Sequence, residues 1–294
     1  MKKAKISIIF SMITFGTIGI FVKNIALSSS EIALYRGLFG SLFLLGVLMT
    51  KKDSIPVSVL KKNAWALFFS GAAIGINWIL LFESYRYTTI SNATLSYYVA
   101  PIIVVVVSAS LFKEKLTFRK FLCAAAAMLG MFLIVNGGGS GLGGPGHLKG
   151  IGLALSAAVF YASVILVNRF VKELSGLQST FIQLSVASIV LLPYVLTTQG
   201  FHLMEVDRSS FIYLLILGVV HTGIAYALFF SAIPHLKSQT TAMLSYIDPA
   251  SAVFFSAVFI KEEFSLLQFI GGLLVLGASF ISETKAVSAF EQSV

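Results

Sequence analysis

Charged side chains are scarce in this sequence. Asp, Glu, Lys and Arg make up 11% of the 294 residues, whereas hydrophobic residues make up 57% and the mean hydropathy is +0.92. Soluble domains carry about 25% charged residues, so the composition excludes an ordinary soluble fold. Apolar windows of about 20 residues, the length that crosses a bilayer core, recur along the chain. We predict an all-α integral membrane protein with ten transmembrane helices, at residues 6–26, 31–50, 64–84, 92–112, 119–136, 148–168, 177–197, 210–230, 239–260 and 266–283.

Groups that carry out chemistry are also few. The single cysteine, Cys123, lies within the fifth span, which excludes an internal disulfide and a cysteine metal cluster. Metalloprotease, nucleophile-elbow and phosphate-loop motifs are absent from the sequence. Residues 139–144 match the spacing G-x-G-x-x-G, but they follow a membrane helix, whereas a dinucleotide site requires a preceding buried strand. We therefore predict no enzyme activity, no cofactor and no metal site.

The basic residues indicate the topology. The net charge is +9, and the Lys and Arg residues favour the side that holds the N terminus by roughly three to one, which marks the cytoplasmic side. Both termini are then cytoplasmic, and the charge requires no nucleic-acid partner. The first span lacks an Ala-x-Ala-like cleavage site, so we predict a retained helix and not a signal peptide. The expected location is the cell (plasma or inner) membrane, with the lipid bilayer as a partner.

The sequence divides into two similar halves. A glycine-rich linker at 138–147 separates residues 1–137 from 148–294, and a shift of 148 residues aligns 67–132 with 215–280 without a gap. Because five spans is an odd number, the second half must cross the membrane in the opposite sense. We predict an inverted 5+5 repeat of EamA-like five-helix units, an architecture typical of transporters that work by alternating access. Identical pairs include Gly75/Gly223, Phe82/Phe230, Tyr98/Tyr246, Pro101/Pro249, Ser108/Ser256, Lys113/Lys261 and Glu114/Glu262.

Two prolines and one carboxylate interrupt the fourth and ninth spans. Pro101 and Pro249 lack a backbone N–H, so each leaves a carbonyl four residues earlier without its helical partner. Paired interruptions indicate a transporter binding site, although they also serve to kink helices for packing. Asp248 lies about 15 Å deep at the α-helical rise. An ionised carboxylate there costs roughly 2.5–3.5 kcal/mol, so we expect it to face the interior, to be partly protonated or to hold a cation or amine. The alternative is a side chain that bonds to the freed backbone.

Other polar side chains lie within the spans. Arg36 and Glu83 are near the non-cytoplasmic ends of the second and third spans, where they could form a gate or simply reach the membrane surface. His221 is a candidate proton site because an imidazole titrates near neutral pH, with a satisfied core histidine as the alternative. Aromatic walls with hydrogen-bonding tips suit a pocket. The residues that could line it are Asn77, Trp78, Tyr97, Tyr98, Tyr161, Gln183, Tyr226 and Tyr246.

The ends of the fourth and ninth spans resemble a known family. The segment "YYVAPIIVVVVSASLFKEKLT" at 97–117 is echoed by "SYIDPASAVFFSAVFIKEEFS" at 245–265. With ten spans, a repeated five-helix unit and Arg36 in the second span, the chain resembles the drug/metabolite transporter superfamily and, within it, the EamA-type exporters. The resemblance implies alternating access around a central cavity, with amino acids, other small metabolites or amphipathic drugs as substrates. The positions that it carries over are Pro101, Glu114, Pro249 and Glu262.

The function predicted from these features is secondary-active transport. We expect export of small metabolites, above all amino acids or related compounds, with protons as a candidate coupling ion and a monomer or homodimer as the working unit. The alternatives are an importer or facilitator of a small amine, sugar or nucleoside-type nutrient, and an exporter of amphipathic drugs. Outside transport, a membrane-embedded lipid-processing enzyme or scaffold would need a polar catalytic cluster at the membrane surface, and the predicted loops carry none.

Overall fold

The computed structural model describes residues 1–22, 24–88, 90–137, 146–255, 258–259 and 265–291, and every regular element in these ranges is helical. The linker residues 138–145 and the pair Lys261 and Glu262 lie outside them. The α-helices are α1 (Lys2–Gly16), α2 (Ile18–Val22), α3 (Ser29–Thr50), α4 (Val57–Ser84), α5 (Ile90–Tyr97), α6 (Ala100–Leu111), α7 (Phe118–Gly137), α8 (His147–Val167), α9 (Gly176–Thr198), α10 (Arg208–Ile216), α11 (Ala225–Ala232), α12 (Ser238–Ser245), α13 (Ile247–Phe255) and α14 (Leu266–Glu291). A π-helix, Leu217–Ile224, joins α10 to α11, and the short 3-10 helices are Asn168–Phe170, Leu203–Glu205 and Ile233–His235.

Long apolar segments dominate the described part of the chain. Six of them have the length and composition to cross a membrane, and they correspond to the first three predicted spans and to the sixth, seventh and eighth. The described part of the chain is therefore all-helical, with the apolar segments expected of a membrane protein. The six segments are Lys2–Val22, Ser29–Thr50, Val57–Ser84, His147–Phe170, Gly176–Thr198 and Arg208–His235. Two shorter apolar helices are Ala100–Leu111 and Leu266–Ser282.

The predicted fourth and ninth spans are divided in the structure. The span at 92–112 consists of α5 and α6, and the span at 239–260 contains α12 and α13. In each case the second helix begins one or two residues before its proline, Pro101 or Pro249. A proline fits the first turn of a helix because the N–H that it lacks would have no partner there. Each predicted span is thus a broken helix, with the break on the N-terminal side of the proline.

Matching caps fix the start of two long helices. Ser28 and Glu31 form a capping box at the start of α3, and Ser175 and Gln178 form one at the start of α9. In each box the serine hydroxyl accepts a backbone N–H of the first turn, and the longer side chain accepts the serine N–H. The two capped helices, α3 and α9, then pack against each other.

Helices from the two halves of the chain pack directly on one another. Besides α3 and α9, these pairs include α7 with α14, α6 with α12, and α1 with α13. The approach of α7 to α14 is close: a methyl group built on Gly271 would lie 2.5 Å from the carbonyl oxygen of Gly130. Small residues permit such backbone contact between membrane helices. Large apolar side chains such as Phe68 and Phe280 remain exposed on the outer surface, as expected of helices that face lipid.

Candidate functional site

The two helix breaks meet inside the bundle. Tyr246, between α12 and α13, is 0% exposed, and its hydroxyl donates to the backbone carbonyl of Tyr98, between α5 and α6, at 3.3 Å. The hydroxyl of Tyr98 in turn donates to Oδ2 of Asp248 at 3.0 Å. Asp248 lies in the first turn of α13, where the helix N terminus favours a negative charge. The structure therefore brings Asp248, Tyr98 and Tyr246 together at the point where both broken helices touch.

Tyrosine rings surround this carboxylate. The ring centroid of Tyr97 is 5.6 Å from that of Tyr98 and 5.5 Å from that of Tyr161. Tyr97 and Tyr161 both lie within electrostatic reach of Asp248, and all three retain partly accessible surface. Asn77 donates to the carbonyl of Ala157 at 2.7 Å and lies within reach of the Tyr97 hydroxyl. The predicted lining residues Tyr97 and Tyr161 are thus close to Asp248, and Asn77 contacts Tyr97.

Arg36 and Trp78 form the other end of the same group of side chains. The guanidinium carbon of Arg36 lies 4.2 Å from the Trp78 ring centroid, and the ring of Tyr226 meets Trp78 edge-on at 6.3 Å. Tyr226 is within electrostatic reach of both Arg36 and Asp248. A positive and a negative charge therefore share one aromatic interior. We call this set the central cluster: Arg36, Trp78, Tyr97, Tyr98, Tyr161, Tyr226 and Asp248.

The structure does not bring Arg36 and Glu83 together, and their role as a gate stays a prediction. Among the described residues, the ion pair of Glu83 is with Arg86 at 3.2 Å, and Glu83 also accepts a hydrogen bond from Tyr194 at 3.0 Å. Arg36 is instead buried over Trp78. The two side chains point to different neighbourhoods because Glu83 lies at the end of α4, whereas Arg36 is two turns inside α3. The structure thus separates the two predicted gate residues.

His221 is held by local contacts in the π-helix. Its Nε2 is 2.8 Å from the hydroxyl of Thr17, and its Nδ1 is 3.3 Å from the carbonyl oxygen of Ile216. In the ranges that the structure describes, no group of three or more His, Cys, Asp and Glu side chains could hold a metal ion. The geometry is that of a core histidine with both ring nitrogens engaged, and a proton-site role for His221 stays a prediction.

Gln183 belongs to a separate buried network. Its Oε1 accepts a hydrogen bond from the Ser70 hydroxyl at 2.6 Å and one from Asn168 Nδ2 at 3.1 Å, while its Nε2 donates to the side-chain Oδ1 of Asn168 at 3.0 Å. These contacts join α4, α9 and the end of α8, and Gln183 is completely buried. Buried amides are stable when their hydrogen bonds are satisfied in this way. Among the predicted lining residues, Gln183 is therefore engaged in helix packing and not in the central cluster.

Glu114 has a role that the sequence analysis did not foresee. Its carboxylate accepts the backbone N–H of Ser238 at 2.8 Å and of Gln239 at 3.2 Å, so it caps the start of α12. The guanidinium of Arg169 lies 3.9 Å away and donates to the carbonyl of Leu236. A contact between the end of α6 and the start of α12 joins the two halves. The repeated Lys-Glu pair pointed to Glu114 in the sequence. Its partner Ser238 could not be predicted, because the two residues are 124 positions apart.

A bundle of long apolar helices around charged and tyrosine side chains defines a multi-pass membrane protein with a polar interior. The sequence profile of the EamA-like transporter family matches residues 2–136 and, separately, residues 148–284. The chain belongs to the EamA-like transporter family, within the drug/metabolite transporter superfamily. The resemblance noted from the sequence is thereby confirmed, and the protein is a membrane transporter.

Relatives of the chain agree in class. An uncharacterized transporter of Bacillus subtilis, YxxF, is 29% identical over 283 residues, which cover 92% of this chain and 86% of that protein. An uncharacterized transporter of Archaeoglobus fulgidus is 26% identical over 288 residues, which cover 96% of this chain and 97% of that protein. A solved crystal structure shares the fold, with a TM-score of 0.81 at 16% identity over 96% of this chain and 98% of the other.

Proposed function

We propose that this transporter is a secondary-active exporter of small metabolites, amino acids foremost, that works by alternating access and is coupled to protons at Asp248. The observation that carries the proposal is the contact of Asp248 with Tyr98 where the two broken helices meet. Intramembrane carboxylates are rare, and they usually serve a substrate or proton path. Tyr97, Tyr98, Tyr161 and Tyr226 surround this carboxylate, and Tyr226 also interacts with the cation Arg36.

The proposed architecture is ten transmembrane helices in an inverted 5+5 repeat, residues 1–137 and 148–294, with both termini in the cytoplasm of the cell membrane. Two separate matches of one family profile support the duplication. The starts of α5 and α12 differ by the same 148 residues as the starts of α7 and α14. The hydrogen bond between Tyr246 and Tyr98 also joins positions 148 apart. A contact between equivalent positions lies on the axis that relates the halves, and one chain encloses the whole central cluster, which supports a monomer as the smallest working unit.

The Glu114 contact supports alternating access, since a carrier needs a seal that can break on each side. Together with Lys120, which donates to the Gln239 side chain at 2.6 Å, Glu114 fastens the first half to the start of α12. The excess of basic residues supports a cytoplasmic position for this end of the bundle. We propose that the Glu114 contact is the cytoplasmic latch, closed in this conformation.

Removing the latch is expected to open the cytoplasmic side. In a Cys123→Ala background, Ser238→Cys reports on access because Ser238 is 0% exposed. Adding Glu114→Ala leaves two N–H groups uncapped, at about 1–3 kcal/mol, so labelling by an impermeant maleimide in inside-out vesicles rises about tenfold. Lys115→Ala, a change at the exposed neighbouring residue, should leave the labelling of the cysteine unchanged. Unchanged labelling in the Glu114→Ala protein would contradict the latch.

The proposed function is tested by counterflow in proteoliposomes loaded with unlabelled solute. Labelled amino acids, polyamines, sugars and an amphipathic dye are supplied outside, with and without a pH gradient. We expect amino acids to exchange faster than in protein-free liposomes and the gradient to accelerate them. Dye transport alone would identify the amphipathic-drug alternative, and amine or sugar transport alone would favour the nutrient alternative. No movement of any class would overturn the proposed exporter of small metabolites.

A further inference from the structure

No carboxylate in the described part of the chain pairs with the guanidinium of Arg36. Arg36 is 8% exposed, and its Nε is buried without a hydrogen-bond partner; in the part of the chain that the structure describes, no carboxylate forms an ion pair with it. A buried cation without an anion is strongly unfavourable. The ring of Trp78 and the nearby hydroxyl of Tyr226 offset only part of this cost. An anion bound from outside the protein would neutralise the positive charge of the guanidinium.

Asp248 supplies the opposite charge in the same cluster. Its hydrogen-bond partner is the hydroxyl of Tyr98, and in the described ranges it is not paired with Arg36. Tyr226 nevertheless lies within electrostatic reach of both Arg36 and Asp248. The interior therefore holds a guanidinium and a carboxyl group that are not paired with each other in the described ranges. A ligand that carries both charges matches this arrangement.

We propose that Arg36 is the carboxylate-binding residue of a zwitterion site whose ammonium end is held by Asp248; the inference rests on the transport function proposed above and assigns its substrate class. A guanidinium offers two parallel N–H donors, which match the two oxygens of a carboxylate. A zwitterion has no net charge, so one ligand balances both protein charges. A phosphate would bring further negative charge towards Asp248. Arg36 is then a substrate residue and not a gate.

The chain offers a direct optical reporter for this site. It has two tryptophans, and Trp65 is 58% exposed, whereas Trp78 lies under Arg36 and is 5% exposed. A Trp65→Phe protein therefore leaves Trp78 as the only tryptophan. Its fluorescence in detergent should change when a ligand reaches the guanidinium above the ring. Binding is then measured without any transport.

The experiment titrates the Trp65→Phe protein with a matched set of probes. Leucine carries both charges, 3-methylbutylamine only the ammonium, and 4-methylpentanoate only the carboxylate; the other neutral amino acids and inorganic phosphate complete the panel. We expect a saturable change with at least one amino acid. Its amine-only and acid-only analogues should bind at least about tenfold more weakly, because each leaves one buried charge without a partner.

Two substitutions assign the poles of the site. Arg36→Gln should remove the advantage of the amino acid over its amine, and Asp248→Asn should remove its advantage over the acid. Arg36→Lys keeps the charge and should retain part of the discrimination. Arg208→Gln and Glu205→Gln make the same chemical changes at exposed positions and should leave the titrations unchanged.

The results separate this inference from the transport proposal. An amine or phosphate that binds the Trp65→Phe protein as tightly as every amino acid overturns the zwitterion site, and so does a panel in which no amino acid affects Trp78. These comparisons need only the Trp65→Phe protein, so they hold even where an Arg36 variant does not fold. Counterflow of another solute class would then leave transport standing. Absence of all counterflow rejects transport itself.

Discussion

Replacing Asp248 with Asn is expected to abolish the response of transport to a pH gradient. The amide is close in shape to the carboxylate, and its oxygen can still accept the hydrogen bond from Tyr98, so the helix contact at 3.0 Å is retained. What is lost is the ability to bind and release a proton and to attract a cation. Losing one partner of a buried charged contact costs about 2 kcal/mol or more, which lowers substrate exchange roughly 30-fold.

The measurement is counterflow in proteoliposomes with and without an imposed pH gradient. The parent protein should accelerate with the gradient, and the Asp248→Asn protein should be slow in both conditions. Asp248→Glu keeps the titrating group and should retain some response, whereas Glu205→Gln, at an exposed position, should behave like the parent. An Asp248→Asn protein that still follows the gradient would remove this carboxylate from proton coupling.

Replacing Gly271 with Ala is expected to destabilise the bundle. The added methyl group would lie 2.5 Å from the carbonyl oxygen of Gly130 and 2.9 Å from the backbone nitrogen of Ile134. These are backbone atoms, so α7 and α14 must move apart to make room. Overpacking of this kind typically costs about 1–3 kcal/mol, which should appear as a clear fall in the thermal midpoint of the detergent-solubilised protein.

The adjacent residue provides the control for this substitution. A methyl group built on Gly272 meets no atom within 4 Å. Gly272→Ala places the same methyl group on the same helix, and it should be neutral or stabilising because Ala is favoured over Gly in a helix by about 1 kcal/mol. Gly130→Ala should resemble Gly271→Ala, since its methyl group would lie 2.6 Å from the carbonyl oxygen of Gly271. Equal midpoints for the Gly271 and Gly272 variants would show that the two helices are not in close contact.

The sequence predicts the apolar helices well because the bilayer imposes one length on them. It also points to Asp248, Pro101 and Pro249, since a charge or a helix break stands out in an apolar run. The positions of the helix ends are less accessible. The long α4 begins at Val57, seven residues before its predicted start, because apolarity marks the lipid-facing stretch and not the hydrogen-bonded helix.

Contacts between distant residues explain what the sequence could not supply. The gate hypothesis placed Arg36 and Glu83 together from their depth alone, but depth does not fix the direction in which a side chain points around its helix. Gln183 is a polar side chain of the kind that lines a pocket. Its side-chain oxygen instead accepts a hydrogen bond from Ser70, which is 113 residues away in the sequence. Glu114 shows the converse. The repeated Lys-Glu pair marks it in the sequence, but its capping role depends on where α12 begins.

The π-helix Leu217–Ile224 makes the two halves mechanically unequal. Its counterpart in the first half, α4, runs as one uninterrupted α-helix from Val57 to Ser84. Wider π turns shift the register of every side chain beyond them, so the two copies are not related by an exact two-fold axis. Under the alternating access proposed above, the two orientations of the empty carrier therefore differ in energy, and the carrier rests mainly towards one side of the bilayer, while the direction of net transport is set by the gradients.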